Sequence, residues 1–389
     1  MRLNDGLIIA RRNRVCIGDN PAVKRLVLVG GGHSHIEVLR RWIRDPAPAT
    51  ELVLVSPARQ APYSGMLPGL MAGHYDFHEA HTDLEALARA AGARFIPLHV
   101  RGLDPAQRRL RLADGTELPY DLVSLDIGSA PAAQDLSGVA AHTIPLKPVD
   151  RLLVAWEELC GRAHAGHLRR VIVVGGGAAG VEVLLAMHHR LAALGVGFAL
   201  VLETTQPLTT HPPRVRKVFA RVLAARGVEM HPGQRVTMVE TGAVITDQGS
   251  RIAGDAILWA TGPAPAPGWH ASGLARDDDG YVLVNTYLHS ISEATVFATG
   301  DCATVRGYRY PRSGVYAVRQ GPVLSRNLRA ALTGGTLAAY VPQTRALALI
   351  STGDRYAVAS WGPLSVAGRW VWRWKDRIDR RFMARYRFW

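Results

Sequence analysis

Residues 27–37 read VLVGGGHSHIE and residues 171–182 read VIVVGGGAAGVE; in each an apolar run breaks into three glycines. The second stretch completes a Gly-x-Gly-x-x-Gly pattern with Gly175, Gly177 and Gly180. The first supplies Gly30 and Gly32 and puts His35 where the third glycine belongs. So short a pattern carries weight only in context. KRLVLVG (Lys24–Gly30) has the composition of a buried strand. HIEVLRRWIRD has Ile36, Leu39 and Ile43 at helical spacing, and TELVLVSP (Thr50–Pro57) reads as the next strand. Strand, glycine turn, helix and strand recur over Arg169–Glu203. Two such units predict an α/β chain with two dinucleotide-binding folds.

The glycines serve a close approach of a pyrophosphate to backbone N–H groups at a helix start. The first permits the tight turn, the second keeps bulk away from the phosphates, and the third lets helix and strand pack. An acidic residue about twenty positions on accepts hydrogen bonds from the adenosine ribose. Glu203, closing FALVLE, takes that place in the second unit; its charge repels a 2′-phosphate, which predicts NADH over NADPH. In the first unit the strand ends in Ser56, which can bind a ribose hydroxyl without charge assistance. His35 there is expected to push the helix off the strand while Gly30 and Gly32 keep the phosphate turn. A first turn that binds nothing is the bland alternative.

The 389 residues are 48% apolar and 20% charged, which suits an α/β enzyme with buried cores. No run of about 18 apolar residues is present, so a spanning helix is not expected. Residues 1–21 read as a leader or poorly ordered extension. Cys16, Cys160 and Cys302 form no C-x-x-C pair, which argues against a zinc ribbon or a disulfide framework and fits a reducing cytoplasm. A net charge of +14 favours anionic partners without choosing among dinucleotide, lipid and nucleic acid.

DLVSLDIGS (Asp121–Ser129), DAILWATGP (Asp255–Pro263) and VFATGDCA (Val296–Ala303) join the glycine turns as marks of a family. With them the chain resembles the pyridine nucleotide-disulfide oxidoreductase superfamily. The resemblance implies two Rossmann-like domains, the NAD domain inserted in the FAD domain, and a short C-terminal segment. The expected division begins with an extension (1–21) and the leading segment of the FAD domain (22–145). The NAD(H) domain (146–264) follows, then the returning segment of the FAD domain (265–332) and a C-terminal segment with a basic aromatic tail (333–389). The resemblance implies FAD at Gly30, Gly32, Ser56, Gly128, Gly300 and Asp301, with Asp301 on the ribityl chain. It implies NADH at Gly175, Gly177, Gly180, Glu203 and Gly262. Asp126-Ile127-Gly128 stands where many relatives have Ala-Thr-Gly. GGGHSHIEVLRRW, LVSPARQAPYSGMLPGLMAGHY and WRWKDRIDRRFMARY narrow the likeness. They resemble type II NADH dehydrogenases and the reductase module fused upstream of selenide, water dikinase in some proteins. A link to selenium rests on analogy alone.

Relatives that reduce disulfides carry a C-x-x-x-x-C pair beside the flavin, but Ser56–Tyr75 contains no cysteine. Sulfide:quinone reductases use two cysteines, of which Cys160 could match only one. The expected activity is therefore NADH dehydrogenation through FAD to a quinone or quinone-like acceptor. By resemblance, Glu182 near the nicotinamide has a positioning or proton-relay role, and Arg319 or Gln320 in AVRQGP stabilises charge on the reduced flavin. His74, His78 and His81 fall at i, i+4 and i+7, but the adjacent loop residues and the flavoprotein reading argue against a metal. Over Arg369–Trp389 eight basic residues face Asp376 and Asp379, with Val371, Trp374, Ile378, Phe382 and Tyr386 at helical spacing. That suits an interfacial helix at the cytoplasmic face of the inner membrane, with packing on the protein or dimerisation as competitors and no nucleic-acid motif. Two readings stay open beside the dehydrogenase: a soluble NADH-dependent reductase for another acceptor, and a non-catalytic flavin-fold binding or regulatory protein.

Overall fold

The computed structural model describes residues 23–266 and 272–387. The leader reading of residues 1–21, Cys16 and the last two tail residues lie outside the described residues. Lys24–Val29 is the central strand of a five-stranded parallel sheet. The spatial order is Val296–Ala298, Leu122–Leu125, Lys24–Val29, Thr50–Val55, Arg94–Ile96. Arg170–Val174 is central in a second parallel sheet, ordered Ile144–Pro145, Ala256–Trp259, Arg170–Val174, Gly197–Leu202, Glu229–Pro232. Both central strands are near-continuous apolar runs because both faces of each sheet are covered. The strand Val296–Ala298 follows the whole second sheet in sequence yet completes the first. The second unit is therefore inserted in the first.

Register fixes where the functional groups emerge. Val29 lies beside Val55 and Leu125, so Gly30, Ser56 and Asp126 leave the sheet at one carboxyl edge. Val174 lies beside Val201 and Trp259, which brings Gly175, Glu203 and Ala260 to the same place in the second sheet. In both sheets the chain reverses direction across the sheet beside the central strand, and ligands of open α/β sheets bind in the crevice so formed. Each half also carries a three-stranded antiparallel sheet: Val100–Asp104, Arg109–Leu112 and Glu117–Pro119 in one, Val236–Glu240, Ala243–Thr246 and Arg251–Ala253 in the other. The turn signals Asp104-Pro105 and Asp114-Gly115 close the first.

The C-terminal segment is a three-stranded antiparallel sheet, Ala348–Ser351, Ala357–Trp361 and Leu364–Gly368, followed by the helix Arg369–Met383. The expected tail stripe is divided. Val371 and Tyr386 are buried and Phe382 packs inward, whereas Trp374 and Ile378 are exposed beside Trp370. The buried face carries Val371, Lys375, Asp379 and Met383. Among the described residues no helix is long and apolar enough to cross a membrane. The histidine-rich stretch is not one helical face: only Phe77–Ala80 is helical, His74 precedes it and His81 opens a strand.

Candidate active site

The second glycine turn has the geometry its sequence predicts. Gly175 takes φ 120°, and a β-carbon there would run into the carbonyl of Ala260. Gly177 begins the helix Ala178–Leu191, and beyond its chain neighbours and its own helix backbone no atom of the described residues lies within 4 Å of where its β-carbon would be; Gly262 is equally clear. A side chain at Gly180 would collide with the Gly175 carbonyl, so this glycine sets the helix against the strand. Glu203 is exposed just beyond Gly197–Leu202.

The first turn repeats that backbone with different side chains. Gly30 takes φ 94° over the carbonyl of Asp126, and Gly32 begins the helix His33–Trp42. His35 is buried beneath the turn. Its Nδ1 lies 2.7 Å from the Gly30 carbonyl, which can only accept, and its Nε2 lies 2.8 Å from Ser124 Oγ. The proton is therefore on Nδ1, and the Ser124 hydroxyl donates to Nε2. Burial lowers the His35 pKa to about 4, so the ring is neutral. Instead of simply holding helix from strand, the imidazole ties the turn to both.

Asp126 is the unexpected neighbour. Its Oδ2 accepts from the N–H of Ser34 at 2.9 Å and of His35 at 3.2 Å. A β-carbon on Gly32 or Gly300 would overlap its carboxylate. Ser56 is buried and its hydroxyl donates to the Ala58 carbonyl at 3.1 Å, leaving its lone pairs for any ribose hydroxyl. Gly128, at φ 72°, has no atom of the described residues beyond its chain neighbours within 4 Å of its β-carbon direction.

Asp301 lies opposite and pairs with Lys147 Nζ at 2.8 Å; Lys147 also reaches Ser129 Oγ at 3.0 Å. Gln320 is buried, and its Oε1 accepts from the Gly300 N–H at 2.7 Å. Arg319, one residue away on the helix Gly314–Thr333, is exposed. The structure thus brings Gln320 to the Gly300-Asp301 turn and leaves Arg319 outside it. His33 is half-buried, its pKa lowered to about 4 chiefly by desolvation, with Asp301 and Lys147 acting on it in opposite senses. Its Nε2 finds no hydrogen-bond partner among the described residues.

Glu182 is half-buried where the second unit meets the C-terminal segment. Its Oε1 accepts from the Ser351 N–H at 2.7 Å. Burial pushes its pKa up to about 7, and Lys375 pulls the other way. Lys375 and Asp379 form an inward ion pair at 2.5 Å, the lysine also donating to the Gly65 carbonyl. Burial raises the Tyr63 hydroxyl far above its usual value, and Asp379 adds to the rise. Sequence reading took Asp126 only as a departure from the Ala-Thr-Gly of relatives, placed His33 on the glycine turn in a packing or hydrogen-bonding role, and missed Lys147 and this ion pair. The ion pair left only a Lys-x-x-x-Asp spacing within an amphipathic stretch as its trace in the local pattern.

Cys160 and Cys302 are free thiols, and burial pushes Cys302 up to about 12, so it carries no thiolate. No grouping of three or more His, Cys, Asp or Glu side chains among the described residues could hold a metal ion. His74 reaches the Gly353 carbonyl, while His81 stacks on Phe77. Clear space at Gly177, Gly262 and Gly128, the exposed Glu203 and the partnerless His33 Nε2 fit two dinucleotides. At the first turn, Asp126 already engages the helix-start donors.

Known proteins agree with this architecture. The chain is 29% identical over 226 residues to an NADH dehydrogenase-like protein of Mycobacterium tuberculosis, a match spanning 56% of either chain. It is 25% identical to a demethylphylloquinone reductase of Synechocystis, across 94% of this chain and 92% of that one. The fold matches the type II NADH dehydrogenase of Plasmodium falciparum solved with NADH, at TM-score 0.77 and 12% identity over 93% of this chain and 97% of that one. It matches the sulfide:quinone oxidoreductase of Aquifex aeolicus equally well, at TM-score 0.77 and 16% identity over 94% and 91%. The family model described as pyridine nucleotide-disulphide oxidoreductase matches residues 24–321. The chain belongs to that family.

Proposed function

We propose that this chain is an FAD-dependent NADH dehydrogenase that reduces a quinone or quinone-like acceptor without a redox-active disulfide. The carrying observation is the pair of glycine turns, each opening a helix at the carboxyl edge of its own parallel sheet. Residues 22–145 and 265–332 would hold the flavin and residues 146–264 the nicotinamide, the pair supplying hydride transfer and onward electron transfer when bound. Gly30, Gly32, Ser56, Gly128, Gly300 and Asp301 hold the FAD, and Gly175, Gly177, Gly180, Glu203 and Gly262 hold the NADH. Glu203 faces the ribose of NADH and repels the extra phosphate of NADPH. Gln320 fixes the Gly300-Asp301 turn; Glu182 positions the nicotinamide or holds a proton beside it.

Among the described residues the two thiols are unpaired: Cys302 is buried and protonated, and Cys160 lies on the helix Val149–His164. A quinone acceptor is supported by the demethylphylloquinone reductase activity that names the Synechocystis relative. It is also supported by the tail helix, whose exposed Trp370, Trp374 and Ile378 stand among arginines as an interfacial helix requires. On this reading the enzyme works at the cytoplasmic face of a membrane.

The test is reoxidation of the NADH-reduced protein by a quinone carried in anionic vesicles, followed anaerobically by flavin absorbance. Reoxidation within the turnover time, slowed by loss of Trp370 and Trp374, supports the proposal. Reduction by NADH without reoxidation by any quinone would move the protein to a soluble reductase of another acceptor. The inward packing of Val371, Phe382 and Tyr386 is what favours that second reading.

A further inference from the structure

The two glycine turns differ at one residue whose consequences reach the cofactor. Gly30 and Gly175 each cross a carbonyl of the neighbouring strand, that of Asp126 in one unit and of Ala260 in the other. Ala260 contributes a methyl group; Asp126 contributes a carboxylate that is 3% exposed. At Gly177 the β-carbon direction is clear, whereas at Gly32 it runs into that carboxylate. The second glycine of the fingerprint lacks a side chain so that a pyrophosphate can come close. The N–H groups of Ser34 and His35, which a bound anion would use, are instead donated to Asp126.

We propose that Asp126 is a resident anion of the first turn, held at the seat of the flavin pyrophosphate, and that cofactor loading neutralises it by taking up one proton. The inference rests on the flavin reading above. Its physical basis is crowding of like charge in a site that excludes water. A pyrophosphate brought to this helix start would meet ionised Asp126, while Lys147 is already paired with Asp301. From the helix start, His33 and His35 face Asp126 or its neighbours, and burial keeps both neutral, with pKa values near 4. From the turn after Val296–Ala298 come Asp301 and Cys302; Asp301 is engaged by Lys147, and Cys302 is a protonated thiol. From the helix Gly314–Thr333 comes the neutral Gln320. Burial pushes Asp126 up to about 7, against the pull of the Ser34 and His35 N–H groups. Its carboxyl can therefore accept the proton near neutral pH, and as an acid it can donate to a phosphate oxygen. No electrons move: the ionised protein, a solvent proton and the dinucleotide combine into one complex.

The experiment is titration of the flavin-stripped full chain with FAD between pH 6 and pH 9, followed by quenching of flavin fluorescence. A parallel run in weak buffer reads the protons taken up. Linkage predicts a Kd that rises by up to about tenfold per pH unit above pH 7, with close to one proton absorbed per FAD at pH 8. Asp126→Asn, whose carbonyl oxygen can still accept the Ser34 N–H, should bind more tightly at pH 8 and lose the slope and the proton uptake. A flat wild-type profile without proton uptake overturns the inference, as does an Asn variant with the wild-type slope. Should the variant not fold, the wild-type proton count decides alone. Absence of FAD binding by the wild-type chain at every pH would instead remove the flavin reading itself.

Discussion

Glu203 and Ser56 follow equivalent strands, and under the proposed function their difference in charge separates the two cofactors. Replacing Glu203 by Ala should lower kcat/KM for NADH by about tenfold, the order expected for one charge-assisted hydrogen bond, and narrow the gap to NADPH. Steady-state rates with both nucleotides check it. Glu182 makes a second prediction. Its folded pKa is raised to about 7, above the value near 4.3 of an exposed glutamate. The unfolded chain loses this proton first, so the contribution of Glu182 to stability is complete below about pH 4.3 and falls as pH rises towards 7. Glu182→Gln keeps the hydrogen bond from Ser351 and should flatten that fall, read as a smaller drop in Tm between pH 5 and pH 7.5. At this scale the sequence was informative where neighbours are consecutive. Gly175, Gly177 and Gly180 declare a turn by spacing. Asp126, Lys147 and His33 come from segments far apart in the chain, and the composition around each gives no sign of the groups it meets.

The tail helix shows how periodicity can be right about an element and wrong about its faces. Val371, Lys375, Asp379 and Met383 recur every fourth residue and turn inward; Trp370, Trp374 and Ile378 recur likewise, one position earlier, and turn outward. The two rows are neighbours on the helix, and hydrophobicity alone merged them into one stripe. The inward row carries a buried ion pair whose partners are 9% and 6% exposed. Asp379→Ala strands the lysine in the interior and should destabilise the protein by about 3–5 kcal/mol, measured by urea unfolding. Trp370→Ser with Trp374→Ser removes only outward groups. The unfolding midpoint should stay near that of the wild type, while co-sedimentation with anionic vesicles falls at least several-fold. His74, His78 and His81 are a converse case, where regular spacing in sequence falls on a four-residue helix and its flanks.

At the level of the molecule, the duplicated plan was legible because its fingerprint recurs with the same strand and helix on either side. Insertion of one unit in the other was implied by the family resemblance that VFATGDCA helps to carry, and its strand Val296–Ala298 returns to the first sheet. The C-terminal segment was legible only as strands and a basic tail. Its place against Glu182 depends on the Ser351 N–H and on Lys375, contacts between residues far apart in sequence. The central claim is that both turns work together, one holding flavin and the other delivering hydride from NADH. Its most direct test is the absorption spectrum of the purified protein under anaerobic conditions, before and after addition of NADH or NADPH. The predicted result is a flavin spectrum that bleaches promptly with NADH and slowly with NADPH. Bound flavin that NADH leaves unbleached would contradict it.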